Sequence, residues 1–200
     1  MPNQLLFLPG ASGNIQFWTP ISNALTYQAQ MIHVGWPGFG STPPSREVQG
    51  LNDLVNLIVQ QINQPTGLIA QSMGGIVAIL AALEKPTLVT HLVLAATSGG
   101  IDMSRFGAEN WRPSFMKANP SLPPWFANYH EDISHRLREV DIPILLIWGD
   151  ADPISTVSAG QYLASLLPNA TLKVFLGGDH DTGNTHAHEI APLIDGLLVG

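Results

Sequence analysis

The chain has 200 residues, of which 45% are hydrophobic and only 12% are charged, and its net charge is −7. Such an acidic chain has no basic stripe for a phosphate backbone, which disfavours binding to nucleic acid or to an anionic membrane surface. Because there is no cysteine, disulfides, thiolate metal sites and cysteine nucleophiles are excluded.

The N-terminus has no basic region ahead of its first apolar run, as a secretory signal would require. No apolar stretch approaches the ~18 residues of a membrane span. We therefore expect a soluble, cytoplasmic protein. No linker or internal repeat divides the sequence, so we expect one domain over residues 1–200.

Short apolar runs alternate with stretches of helical periodicity. Six runs predict strands that are covered on both faces, namely Leu5–Leu8, Met31–Val34, Gly67–Ala70, Leu92–Ala95, Ile144–Trp148 and Leu172–Phe175. Helices are predicted around Phe17–Leu25, Leu51–Ile62, Ile76–Leu83, Ser155–Leu167 and His186–Leu198. This alternation predicts an α/β fold, with a mostly parallel sheet of about six strands and helices on both faces.

One segment, residues 101–141, interrupts the alternation. It is too long for a simple crossover and reads as a small insertion at the C-terminal end of a strand, where open α/β sheets bind ligands. Its aromatic residues are Phe106, Trp111, Phe115, Trp125, Phe126 and Tyr129. We expect Trp111, Trp125 and Phe126 to contact a substrate. The alternative is that these side chains pack only against one another.

The most specific local pattern surrounds Ser72. An apolar strand runs into Ala70-Gln71-Ser72-Met73-Gly74, and a helical pattern follows directly. A nucleophile on a sharp strand-to-helix turn needs small residues two positions before and two after it, and Ala70 and Gly74 meet that need. The alternative is that Ser72 is an ordinary N-cap of a buried helix.

Three further segments follow predicted strands. Pro9-Gly10-Ala11 begins a glycine-rich loop that can aim a backbone N–H into a site, or can be a plain turn. Asp150 and Asp152 follow the fifth strand, where either can orient a histidine or cap the next helix. His180 follows the sixth strand and is a candidate general base, although a lone loop histidine is usually solvent-exposed.

A metal site is an alternative interpretation of the residues near His180. The acidic and histidine residues there are Asp179, His180, Asp181, His186 and His188. They straddle a loop and a helix start without a recognised ligand spacing, so we expect no metal.

Together these segments place Ser, Asp and His, in that order, after separate parallel strands, and this order resembles the α/β-hydrolase superfamily. The similarity covers nearly the whole chain. Residues 36–41 resemble the family's D-x-P-G-x-G-x-S loop, with Gly35 at the position of the Asp. Residues 149–153 resemble the G-x-x-D turn, and Gly178-Asp179-His180 resembles the family's G-x-H. Pro9 stands where the family usually has His.

The resemblance implies a Ser72 nucleophile, a His180 base and an orienting Asp152, with the N–H groups of Ala11 and Met73 as the oxyanion hole. It also implies a small cap at 101–141 and no cofactor. The implied activity is hydrolysis of a small carboxylic ester, or a related acyl compound, through an acyl-enzyme on Ser72. Two alternatives remain. The same triad can serve C–C bond hydrolysis or lyase chemistry, or the chain can be a non-catalytic ligand-binding protein. The oligomeric state stays open.

Overall fold

The computed structural model describes residues 1–200, apart from the side chains of Pro124 and Ala127. Its sheet has six parallel strands in the order β2-β1-β3-β4-β5-β6. The strands are β1 (Gln4–Leu8), β2 (Gln30–His33), β3 (Thr66–Gln71), β4 (Val89–Ala95), β5 (Ile144–Gly149) and β6 (Ala170–Phe175). The predicted fold class and the six strands are therefore confirmed.

Helices cover both faces of this sheet. They are α1 (Thr19–Ala24), α2 (Leu51–Gln61), α3 (Met73–Glu84), α4 (Arg112–Ala118), α5 (Pro124–Ala127), α6 (Val157–Leu166), α7 (Thr182–Thr185) and α8 (Ala187–Val199). One buried cluster joins α1 and α8 to the first face of the sheet. A larger cluster joins α2, α3 and α6 to the second face. The short helix α7 lacks the length for a periodic pattern, and the sequence analysis did not predict it.

Burial varies from the centre of the sheet to its edges. Every residue of β1, β3 and β5 is buried, as expected for strands between two helical layers. The edge strands β2 and β6 are only partly buried, and Val174 in β6 is 45% exposed. The prediction that all six strands are covered on both faces therefore holds only in part for these two. Met31 and Phe175 pack with the first cluster and Ile32 and Leu172 with the second, while other residues of both strands are exposed.

Helix α2 illustrates how the periodic pattern becomes packing. Its Leu51, Leu54, Val55 and Ile58 are buried on one face, which packs against α3. Each such side chain contributes about 1.5–3 kcal/mol of burial free energy. Helix α3 is apolar almost all round, because it lies between α2 and the sheet.

The 101–141 segment leaves the C-terminal end of β4 and returns before β5. It contains α4, α5 and two 3₁₀ turns, Met103–Phe106 and Ser134–Glu139. Phe126 lies at its centre, with ring centroids 5.5 Å from Trp111 and 5.6 Å from Phe39 of the β2–α2 loop. The segment therefore packs on itself and on the loop that follows β2.

Within the described part of the chain, no helix combines the length and the apolar composition needed to cross a membrane.

Candidate active site

Ser72 lies at the turn between β3 and α3 in a strained backbone conformation, with φ 52° and ψ −119°. A positive φ of this kind costs a non-glycine residue about 1–3 kcal/mol, so surrounding contacts must hold it. The Ser72 N–H donates to the Ala95 carbonyl at 3.0 Å. The Ser72 carbonyl accepts from the Thr97 hydroxyl at 2.6 Å. Strand β4 and the residues after it thus fix the turn from both sides.

The small residues around Ser72 have a clear steric role. Ala70 is fully buried within the sheet. A Cβ at Gly74 would lie 2.6 Å from the Pro9 carbonyl oxygen and 2.9 Å from that of Leu8. Since both of these are backbone atoms, they cannot move aside cheaply. Glycine at position 74 therefore lets α3 begin directly against the loop that follows β1.

His180 and Asp152 approach Ser72 in series. The His180 Nε2 lies 3.1 Å from the Ser72 Oγ, and the His180 Nδ1 lies 2.8 Å from the Asp152 Oδ2. The other carboxylate oxygen of Asp152 accepts backbone N–H groups from Ile154 at 2.8 Å and Ser155 at 3.0 Å. Asp152 thus caps the following turn and contacts the imidazole at once, so its two sequence interpretations are compatible.

The environment of Asp152 keeps it ionised. Its side chain is fully buried, and burial by itself would raise the pKa of the carboxyl. The hydrogen bond and charge of His180, together with the two backbone N–H donors, outweigh burial and lower the pKa of Asp152 below its usual range. A carboxylate in this state holds a proton on the facing His180 nitrogen and leaves the other nitrogen toward Ser72.

The neighbouring acid and histidines lie elsewhere. Asp150 is exposed, and its Oδ1 accepts the Gly177 N–H. His186 contacts Thr185 and Phe175, and His188 is exposed on α8. In the part of the chain that the structure describes, no three His, Asp or Glu side chains gather as a metal site.

The loop after β1 lies against Ser72, since a Cβ at Gly10 would be 3.1 Å from the Ser72 Cβ. Ala11 and Met73 are both buried, and no hydrogen bond among the described residues is donated by either backbone N–H. The indole N–H groups of Trp18 and Trp36 donate to the carbonyls of Leu8 at 3.0 Å and Pro9 at 2.8 Å. Two tryptophans therefore hold this loop, which departs from the usual family sequence at Pro9.

Several supporting residues were missed by the sequence analysis. Besides the two tryptophans, Thr97 holds the Ser72 carbonyl. The buried Gln71 donates from its amide to the His180 carbonyl at 3.3 Å. A Cβ at Gly10 would overlap the side-chain amide oxygen of Gln71, Oε1, at 2.1 Å. The available signal was a polar residue at the buried end of an apolar strand, where an unpaired amide is costly.

A cavity of about 730 Å³ opens at Ser72 and Met73, and the 101–141 segment provides much of its wall. Trp111 and Phe126 line this cavity, as expected for substrate contacts. Trp125 does not, because its ring packs edge-on against Phe39 at a centroid distance of 5.8 Å. The volume lies within the range usual for small-molecule sites, roughly 300–1,000 Å³.

A parallel sheet that holds an acid, an imidazole and a hydroxyl in series, with the hydroxyl in the wall of a cavity, is typical of hydrolases. The sequence model of the Alpha/beta hydrolase family matches residues 5–135 of this chain. The chain therefore belongs to the alpha/beta hydrolase family. The resemblance found in the sequence and the prediction of a hydrolase enzyme are confirmed.

Individual relatives agree with this assignment. The chain is 24% identical to a pimeloyl-[acyl-carrier protein] methyl ester esterase of Legionella pneumophila (strain Paris), over 97% of this chain and 94% of the relative. The solved structure of a thermophilic esterase from Thermogutta terrifontis superposes with a TM-score of 0.80 at 17% identity. The match covers 98% of this chain and 89% of the esterase chain. A hydrolase from Pseudomonas aeruginosa PA01 matches 100% of the chain, and 91% of its own, with a TM-score of 0.80 and 19% identity.

The carboxylates of Asp152 and Asp150 provide a matched test. Asp152→Asn should leave the protein folded and lower kcat by roughly 10⁴-fold on any ester that the protein hydrolyses, because an amide favours the wrong imidazole tautomer. Asp150→Asn should change kcat less than about threefold, since an Asn oxygen can still accept the Gly177 N–H. Steady-state kinetics with circular dichroism as a folding control would check this. A larger loss in Asp150→Asn would move the orienting acid to that residue.

Proposed function

We propose that this chain is a serine hydrolase that cleaves a small carboxylic ester through an acyl-enzyme on Ser72. The observation that carries the proposal is the continuous hydrogen-bonded series from Asp152 through His180 to Ser72, which itself lines the cavity. The esterase relatives and structural neighbours support an ester as the substrate class.

The proposed mechanism begins with proton transfer. A serine hydroxyl is a poor nucleophile at neutral pH, so the His180 Nε2 accepts its proton as the Oγ attacks the ester carbonyl. Asp152 faces the opposite imidazole nitrogen and stabilises the imidazolium that forms. The same histidine then gives the proton to the leaving alcohol.

The tetrahedral intermediate carries a negative charge on the former carbonyl oxygen. The N–H groups of Ala11 and Met73 can donate to that oxygen, since no protein group among the described residues takes their hydrogen bonds. Met73 is also the first residue of α3, whose N-terminal dipole favours negative charge. Donors that are fixed before the reaction need no reorganisation during it. Water then hydrolyses the acyl-enzyme by the reverse proton route.

We propose further that the 101–141 segment acts as a small cap that selects the acyl group. Its Trp111 and Phe126 line the cavity that opens at Ser72. The segment is short, so we expect a preference for short to medium acyl chains.

Ser72 is tested against a neighbour of the same type. Ser72→Ala should lower ester hydrolysis by at least about 10³-fold, as loss of a nucleophile does in other triads. Ser155→Ala serves as the matched control, because Ser155 also lines the cavity and contributes only its backbone N–H to Asp152. A fluorophosphonate probe should label wild type on Ser72 alone. Labelling of another serine, or full activity in Ser72→Ala, would contradict the proposal.

The same experiment separates the alternative activities. A non-catalytic binding protein would hydrolyse no ester and would not react with the probe. A triad devoted to C–C bond or lyase chemistry would react with the probe but would turn over its own substrates in preference to esters.

The proposed cap is tested with two tryptophans of the same segment. Trp111→Ala widens the cavity, so the ratio of kcat/KM for a hexanoate ester to that for an acetate ester should rise by about tenfold. Trp125→Ala removes a ring that packs on Phe39 outside the cavity, and should lower the Tm while leaving that ratio within about twofold. A chromogenic ester panel gives both values. If Trp111→Ala leaves the hexanoate-to-acetate ratio of kcat/KM unchanged, the 101–141 segment does not select the acyl group and its role is structural.

A further inference from the structure

Arg112 is a cation in the wall of the cavity. It begins α4 and is half-buried, with its guanidinium 5.1 Å from the centre of the Trp111 ring. One terminal nitrogen, Nη2, donates to the Tyr129 carbonyl at 3.2 Å. The Nε–H is buried, and no group among the described residues accepts its hydrogen bond. The stacking and the single backbone contact orient the guanidinium but use only part of its five donors.

The charge of Arg112 has no protein counterion. The ion pairs among the described residues are Arg136 with Glu139 and His180 with Asp152, so no carboxylate there lies within 4.0 Å of Arg112. Burial lowers the pKa of the guanidinium from its usual value, although an arginine remains charged at neutral pH. A partly desolvated cation without a partner is costly to the protein, and a bound anion would offset that cost.

Tyr129 also lines the cavity, but its hydroxyl is buried. Burial, and after it the charge and the hydrogen bond of the Glu131 carboxylate, raise the pKa of Tyr129 to about 12. The phenol therefore stays protonated and faces Glu131, so Arg112 is the group in this wall that can bind an anion.

Acidic residues also occur on the wall, and they act differently. Asp102, Glu109, Glu131 and Asp132 line the cavity but are exposed. The carboxylates of Asp102 and Asp132 accept backbone N–H groups of Ser104 and Ser134 in local turns. Charges closer together than the Debye length of about 8 Å at physiological ionic strength still interact. These carboxylates therefore weaken the binding of an anion, and the half-buried, less screened charge of Arg112 has to outweigh them.

We propose that Arg112 binds a carboxylate on the acyl part of the substrate while the ester group lies at Ser72. The preferred substrate class is then the monoester of a dicarboxylic acid. This inference rests on the proposed function, because it uses the cavity that opens at the proposed nucleophile.

The test uses ester pairs that differ only in charge. Methyl monoesters of dicarboxylic acids, from adipic to suberic acid, are compared with the corresponding methyl esters whose free carboxylate is replaced by a primary amide. Methanol release gives kcat/KM for each. For at least one chain length, wild type should prefer the carboxylate by about tenfold or more, as expected for a hydrogen bond to a charged group. Most of the preference should appear in KM.

Variants assign the preference to Arg112. Arg112→Gln should reduce the carboxylate-to-amide ratio of kcat/KM to about one. Arg112→Lys should keep part of the preference for the carboxylate, because lysine retains the positive charge but lacks the planar guanidinium. Arg138→Gln is the matched control. It removes the same charge from an exposed arginine that does not line the cavity, and the ratio should not change. No charge preference in wild type at any length, or a preference that survives Arg112→Gln, would overturn the inference.

A binding measurement keeps this inference separable from the proposed function. Calorimetric titration of Ser72→Ala with the carboxylate ester should give a Kd about tenfold lower than with its amide partner. The double variant Ser72→Ala/Arg112→Gln should lose that difference. If the protein binds the carboxylate ester selectively but wild type hydrolyses neither ester, the esterase proposal is wrong and the Arg112 site is supported. If wild type hydrolyses both esters without selectivity, the esterase proposal is supported and the Arg112 site is wrong.

Discussion

The strained backbone of Ser72 is the constraint on which the site depends. A non-glycine residue keeps a φ of 52° only if contacts with its neighbours hold the backbone in that conformation. The Ala95 carbonyl and the Thr97 hydroxyl hold the two peptide groups of Ser72. Gly74 lets helix α3 begin against the β1 loop. The fold therefore keeps the hydroxyl at the edge of the sheet and the first N–H groups of α3 beside it.

The parallel sheet explains why distant parts of the chain meet at this hydroxyl. Strands β3, β5 and β6 all end at the same edge, and Ser72, Asp152 and His180 follow them. Strands β4 and β5 lie between β3 and β6, so the loop with His180 must reach across both of them. The hydrogen bond from Gln71 to the His180 carbonyl ties that loop back to β3. The surrounding backbone thus helps to hold the Ser72 hydroxyl, the His180 imidazole and the Asp152 carboxylate in series, in addition to the hydrogen bonds between them.

Much of this arrangement was predictable, and the remainder has physical reasons. The six strands and the positions of Ser72, Asp152 and His180 follow from apolar runs that end in turn residues. The contacts of Trp18 and Trp36 with the carbonyls of Leu8 and Pro9 were not predictable, because they join segments that no local pattern relates. The different locations of Trp111 and Trp125 depend on how short helices pack in the 101–141 segment. Periodicity carries no information there.

Cleavage of an ester through an acyl-enzyme on Ser72 can be tested by trapping that acyl-enzyme. Wild type is mixed with excess 4-nitrophenyl acetate and the reaction is stopped rapidly with acid. Mass spectrometry of the quenched and digested protein should find one acetyl group, on the peptide that contains Ser72, at times when 4-nitrophenol has been released. The adduct should be absent from Ser72→Ala. Turnover of the ester by wild type with no acetylated peptide, or with the acetyl group on a different residue, would contradict the account.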